Sequence, residues 1–259
     1  MNDLSAMIWI ELRKVIRSKM PIFTTIGALL MPLGIAFLIF VSRNPDISRK
    51  LGLVSAKASL MSNTATNWPS YLGLFAEMIA AGGFFLYILI ISWVFGREFT
   101  DGTLKDMLAV PVPRASIVMA KFLIVAAWSI LLTVILYLAV LVMGALIQLP
   151  LGSFSVILHG SAIAAITTCL TIVAILPFAF LASVGRGYLL PLGVAVLTLI
   201  FANVAEVIGY GEYYPWAIAG LYSQPQNSLT PASYWIVIFT GLAGIVGTYL
   251  WWKFADQNR

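Results

Sequence analysis

Of the 259 residues, 61% are hydrophobic and only 10% charged, against roughly 25% charged in a soluble domain. So few charges cannot cover a solvated globular surface, and the bilayer is the favourable solvent for this chain. The length suits one membrane domain, residues 1 to 259, without a separate soluble domain. The net charge of +5 does not mark a nucleic-acid binder, because the basic residues lie in the gaps between apolar runs, where topology wants them.

Residues 4 to 20 come first. Leu4, Met7, Ile8, Glu11, Leu12, Val15 and Ile16 fall on one helical face, apolar except for Glu11, with Arg13, Lys14 and Arg17 around the other side. That pattern predicts an amphipathic helix in the cytoplasmic interface, its cations near anionic headgroups. The rival reading is a plain cytoplasmic extension of the first span. A cleaved signal peptide is not expected, because the apolar run starts after residue 20 and has no small-x-small site behind it.

A hydrocarbon core about 30 Å thick needs about 20 apolar residues in helix. Runs of that kind predict six spans, at about 22–41, 74–95, 122–147, 156–183, 188–208 and 234–252. Gly82-Gly83 lies inside the second, Pro177 predicts a kink late in the fourth, and Trp251-Trp252 closes the sixth at an interface. With the N-terminus inside, cytoplasmic segments hold eleven Lys and Arg and external ones four, all four in the 42–73 loop. The predicted fold class is therefore all-α and polytopic, N-in and C-in, in a cell membrane.

The segment from Gly96 to Lys121 carries most information. Gly102 breaks the chain after Glu98 and Asp101, and Thr103 can cap a short helix, LKDMLA. Leu104, Met107 and Leu108 share a face, while Lys105 and Asp106 point elsewhere; Pro111 and Pro113 end the helix and Ser116 starts the approach to the third span. A short amphipathic helix held between two spans is shaped to dock on a partner. Residues 203 to 233, rich in Tyr and Trp, contain an apolar WAIAGL too short to span, which predicts a shallow re-entrant or interfacial element.

Polar residues within the spans are costly and need placing by depth. Glu77 and Glu206 fall near the external ends of the second and fifth spans, with Asn203 one turn from Glu206. They read either as interfacial acids or as the lining of an external vestibule. His159 reads as interfacial, and Cys169 with Thr167, Thr168 and Thr171 as helix packing. Gly241, Gly244 and Gly247 predict close packing of the sixth span, within the chain or between copies.

The pattern resembles a permease subunit of the ATP-binding-cassette (ABC) superfamily, type-2 class, nearest the bacitracin- and lantibiotic-exporter-like subunits. The resemblance rests on E-x-x-x-G-T-L-K at Glu98–Lys105, P-x-x-R-x-x-I at Pro111–Ile117, Lys121 leading into the third span, and Tyr214-Pro215-Trp216. It implies a type V exporter architecture: a connecting helix at 4–20, and a coupling helix at about 102–109 seated on a separate ATPase. Within the 98–121 coupling segment, Glu98, Gly102, Thr103, Leu104, Met107, Leu108 and Arg114 would serve that contact. Glu98 would anchor the element through Arg or backbone amides. Glu77, Asn203, Glu206, Pro215 and Trp216 would belong to the external gate of 203–233. Two permeases and two ATPases would form the complex, with ATP and magnesium on the partner and no cofactor on this chain.

No G-x-x-x-x-G-K-[ST] occurs, so this chain has no Walker A phosphate cradle. Two other classes compete. An intramembrane enzyme needs a catalytic cluster, but the chain has one His, one Cys and no Gly-x-Ser-x-Gly. An autonomous carrier would leave the 96–121 segment without a task. The expected function is a non-catalytic permease moving a hydrophobic or amphipathic compound by alternating access.

Overall fold

A computed structural model describes residues 3–43, 67–150, 154–224 and 229–254, apart from the side chains of Leu38, Ser42, Arg43, Lys105, Asp106 and Leu108. Most of the predicted 42–73 external loop lies outside the described residues. In chain order the helices are α1 (Asp3–Arg17), α2 (Met20–Arg43), α3 (Trp68–Met78), α4 (Phe84–Thr100), α5 (Leu104–Ala109), α6 (Arg114–Leu146), α7 (Phe154–Ile175), α8 (Pro177–Val184), α9 (Leu189–Val207), α10 (Ile218–Ser223) and α11 (Pro231–Phe254). A π-helical turn, Ile79–Gly83, joins α3 to α4, and a 3₁₀ turn, Gly211–Tyr213, precedes α10.

Six helical stretches are long and apolar enough to cross a membrane, and the protein is an all-α polytopic membrane protein. The second, Trp68–Thr100, is the hub: 67% of its most apolar stretch is buried, against 24% for α2 and 22% for α9. Its buried face carries Phe75, Phe84, Tyr87, Ile91 and Phe95. The second and third spans run well past their predicted ends, through Glu98 and Lys121. Charges mark a span end only when they must reach water, and these two are satisfied inside the protein. The 33 residues of α6 make a rod about 50 Å long, well over the roughly 30 Å hydrocarbon core.

The fourth span breaks where Pro177 removes an N–H. The carbonyl of Val173 then accepts from Leu176 N at 3.3 Å instead. The last span presses on this break. A Cβ on Gly244 would lie 2.4 Å from Pro177 N, and one on Gly241 2.6 Å from Val173 Cγ1. The glycine repeat therefore packs within the chain at these two positions, while Gly247 has nothing closer than 3.8 Å.

Two details differ from expectation. Trp252 at the end of the last span turns into the bundle rather than outward: it is 1% exposed, and its indole donates to Ser183 Oγ at 3.0 Å. The helix of the third span, expected over 122–147 with its approach from Ser116, already starts at Arg114, with Pro113 as N-cap.

Candidate functional site

Glu11 is the acid on the apolar face of α1, and the fold explains it. Both its own burial and that of Glu98 are nearly complete, at 3% and 2% exposed, and Lys121 is 0% exposed. Glu98 Oε1 accepts from Lys14 Nζ at 2.8 Å and from Lys121 Nζ at 2.9 Å. Its other oxygen, Oε2, accepts from the Thr103 hydroxyl at 2.8 Å. Glu11 Oε1 sits 2.9 Å from Lys14 and 3.3 Å from Lys121, whose ammonium also donates to the Val94 carbonyl at 2.9 Å. Two carboxylates and two ammoniums thus close a neutral cluster joining α1, α4, α6 and the loop before α5. Burial pushes the Lys14 ammonium down, but Glu11 and Glu98 outweigh it and hold its pKa above the ordinary 10.5.

The anchoring of Glu98 is therefore by two lysines and a hydroxyl, not by Arg or backbone amides. Thr103 stands at the N-cap position of α5 but makes no side-chain cap bond; its hydroxyl is turned to Glu98. Gly102 has φ +69°, a left-handed turn that a side chain would strain. That turn folds α5 back under the cluster.

Leu104 and Met107 point inward. They are 7% and 8% exposed, within the same core as Met7 and Val15 of α1, so they do not form an outward docking face. The Leu108 side chain lies outside the described residues. Arg114 Nη1 donates at 2.8 Å to the carbonyls of Trp252 and Lys253, tying the start of α6 to the end of α11. Among the described residues around α5, those exposed include Gly102, Thr103, Ala109, Pro111 and Val110, the last 46% exposed. A groove of about 310 Å³ runs beside it, lined among others by Ile10, Arg97, Asp101 and Val110.

At the opposite end, Glu77, Asn203, Glu206 and Trp216 line one cavity of about 260 Å³, with Ala80 and Ala81 of the π turn. Gln224 Nε2 donates to Glu206 Oε1 at 2.8 Å, whereas the Asn203 amide bonds back to Leu199 of its own helix. Pro215, grouped with them on sequence, is not in the cavity wall. Ile218 and Leu221 of α10 are buried in protein, which is what a short non-spanning element at membrane depth requires. The Trp216 indole donates to Ala174 O at 2.8 Å, pinning this element beside the break in the fourth span. Thr168 and Thr171 bond back to carbonyls of their own helix, and His159 and Cys169 are exposed. Among the described residues, no three His, Cys, Asp or Glu side chains gather to hold a metal.

Sequence reasoning missed Lys121 as the partner of Glu11. The available signal was two opposite charges, each set in apolar surroundings.

The chain is a polytopic helical bundle whose Gly102 turn is braced by buried charges. The family model described as "ABC-2 family transporter protein" matches residues 7–203, and the chain belongs to that family. It is also similar to the bacitracin transport permease protein BCRB of Bacillus licheniformis, 27% identical over 135 residues, which cover 51% of this chain and 64% of that protein. The match thus spans less than two thirds of that relative. No solved structure matches the chain.

Proposed function

We propose that this chain is the permease subunit of an ATP-driven exporter, working in two copies with two separate ATPase subunits in a bacterial cell membrane. The observation that carries this reading is the buried Glu11–Lys14–Glu98–Lys121 cluster. It fastens the interfacial helix and the Gly102 turn to the second and third spans. A push on Val110 and its neighbours is then delivered to both spans rather than absorbed by a loop. The family membership supports transport, and the absence of a Walker A lysine makes ATP and magnesium the partner's business.

The external cavity lined by Glu77, Glu206 and Trp216 is the gate in this reading. The cargo is a hydrophobic or amphipathic compound, and the relative's name makes a peptide antibiotic the first to try. The test is co-expression with candidate ATPase subunits from the same source, followed by purification through a tag on the permease. An ATPase that co-purifies, and whose hydrolysis depends on the permease, supports the proposal. A folded chain that transports in vesicles without any ATPase would overturn it in favour of an autonomous carrier.

A further inference from the structure

Both α1 and α2 pack on α6, and the chain bends between them at Ser18-Lys19. The corner holds a groove of about 470 Å³ whose walls come from Leu12 and Ile16 of α1, Ile22 of α2, and Ala127, Trp128 and Leu131 of α6. No charged residue lines it, and Ser18, at its edge, already donates its hydroxyl to the Val15 carbonyl. Trp128 is held edge-on against Trp93 at 5.7 Å, which fixes one wall. The groove is open on the outer side, where Ile16, Ile22 and Leu131 are 69%, 60% and 59% exposed.

Arg17 and Lys19 flank Ser18 and are exposed. Among the described residues neither has a carboxylate within ion-pair reach, although Lys14, a turn earlier, has two. An apolar slot beside two uncompensated cations fits an amphiphile with a hydrophobic tail and an anionic head. The charge asymmetry of the loops puts this corner at the cytoplasmic leaflet, where such molecules are the anionic phospholipids of the bilayer itself.

We infer that this groove seats an acyl chain of an anionic phospholipid, with its phosphate held between Arg17 and Lys19. The lipid would complete the packing of α1 against the bundle, along the same α1–α6 contact as the Glu11–Lys121 pair and a turn or more beyond it. The site does not depend on the exporter reading, since it concerns α1, α2 and α6 alone.

The experiment is native mass spectrometry of the full chain released from nanodiscs of equal phosphatidylglycerol and phosphatidylcholine. Wild type should retain one phosphatidylglycerol in preference, by about fivefold for each cation engaged. R17Q/K19Q should lose the preference while still retaining lipid. A127W, at a position already exposed to the groove, should retain less of either lipid while eluting as the same monodisperse species. Equal retention of both lipids by wild type, or unchanged preference in R17Q/K19Q, overturns the inference. So does A127W dissociating a dimer with no change in lipid, since a second copy would then occupy the groove.

Discussion

The ammonium of Lys121 lies 2.9 Å from the carboxylate of Glu98, and neither side chain reaches solvent. Burying charges is expensive, and removing one from this four-charge cluster leaves one opposite charge in it uncompensated, at a cost of about 3–5 kcal/mol. K121M and E98Q should each lower the thermal midpoint sharply in detergent, or abolish the folded peak on size exclusion. E98Q/K121M should recover part of the loss. If the double variant is as unstable as the sum of the singles, the pair is not coupled.

Lys14 gives the cluster a pH dependence of known sign. Its pKa is raised on folding, so its stabilisation is complete below the ordinary value of 10.5 and is lost as pH rises through the higher folded value. The gap in thermal midpoint between wild type and K14M should be constant near neutral pH and narrow above about pH 10.5. A gap that widens in alkali would contradict the arrangement.

The six spans were legible because each is an apolar run of bilayer length with at most one acid, Glu77 or Glu206, near its end, and no tertiary contact can hide that. Their ends were not. Glu98 and Lys121 look like boundary markers in sequence, and only their pairing shows why the helices continue through them. The face of α5 misled in the same way. Leu104 and Met107 make an amphipathic stripe, but periodicity cannot say whether a stripe faces the chain's own core or a partner. At the outer end, Glu77 and Glu206 are brought to one cavity by the packing of the second span against α9 and α10, a contact with no local signature.

That correction changes the docking experiment. L104D puts a charge among Met7, Val15 and Met107, and should cost the fold itself rather than the partner. V110D adds its charge at an exposed site, and should leave the thermal midpoint within about 0.5 kcal/mol of wild type in stability terms. It should nonetheless lose the co-purifying ATPase. Retention of the ATPase by V110D would move the contact away from this edge of the segment.

At the outer cavity, E206Q keeps the side-chain volume and removes the charge next to Gln224. Transport should change with assembly and stability intact, because Glu206 is exposed and the bond it accepts from Gln224 can be accepted equally by a glutamine carbonyl. Unaltered transport would leave Glu206 as an interfacial residue with no share in the gate.

Gly244 and Gly247 sit one turn apart on the last span and should respond oppositely to the same change. A methyl at Gly244 meets the backbone of Pro177 at 2.4 and 2.6 Å, and backbone cannot swing aside as a side-chain tip can. G244A should therefore push α11 off the fourth span and lower stability by about 1–3 kcal/mol. At Gly247 the nearest atom is a Phe180 ring carbon at 3.8 Å, ordinary contact. G247A should be neutral or slightly stabilising, since alanine is the better helix former by about 1 kcal/mol. Thermal midpoints of the two variants in the same detergent decide the matter. Equal effects at both positions would mean that α11 does not press on the Pro177 break.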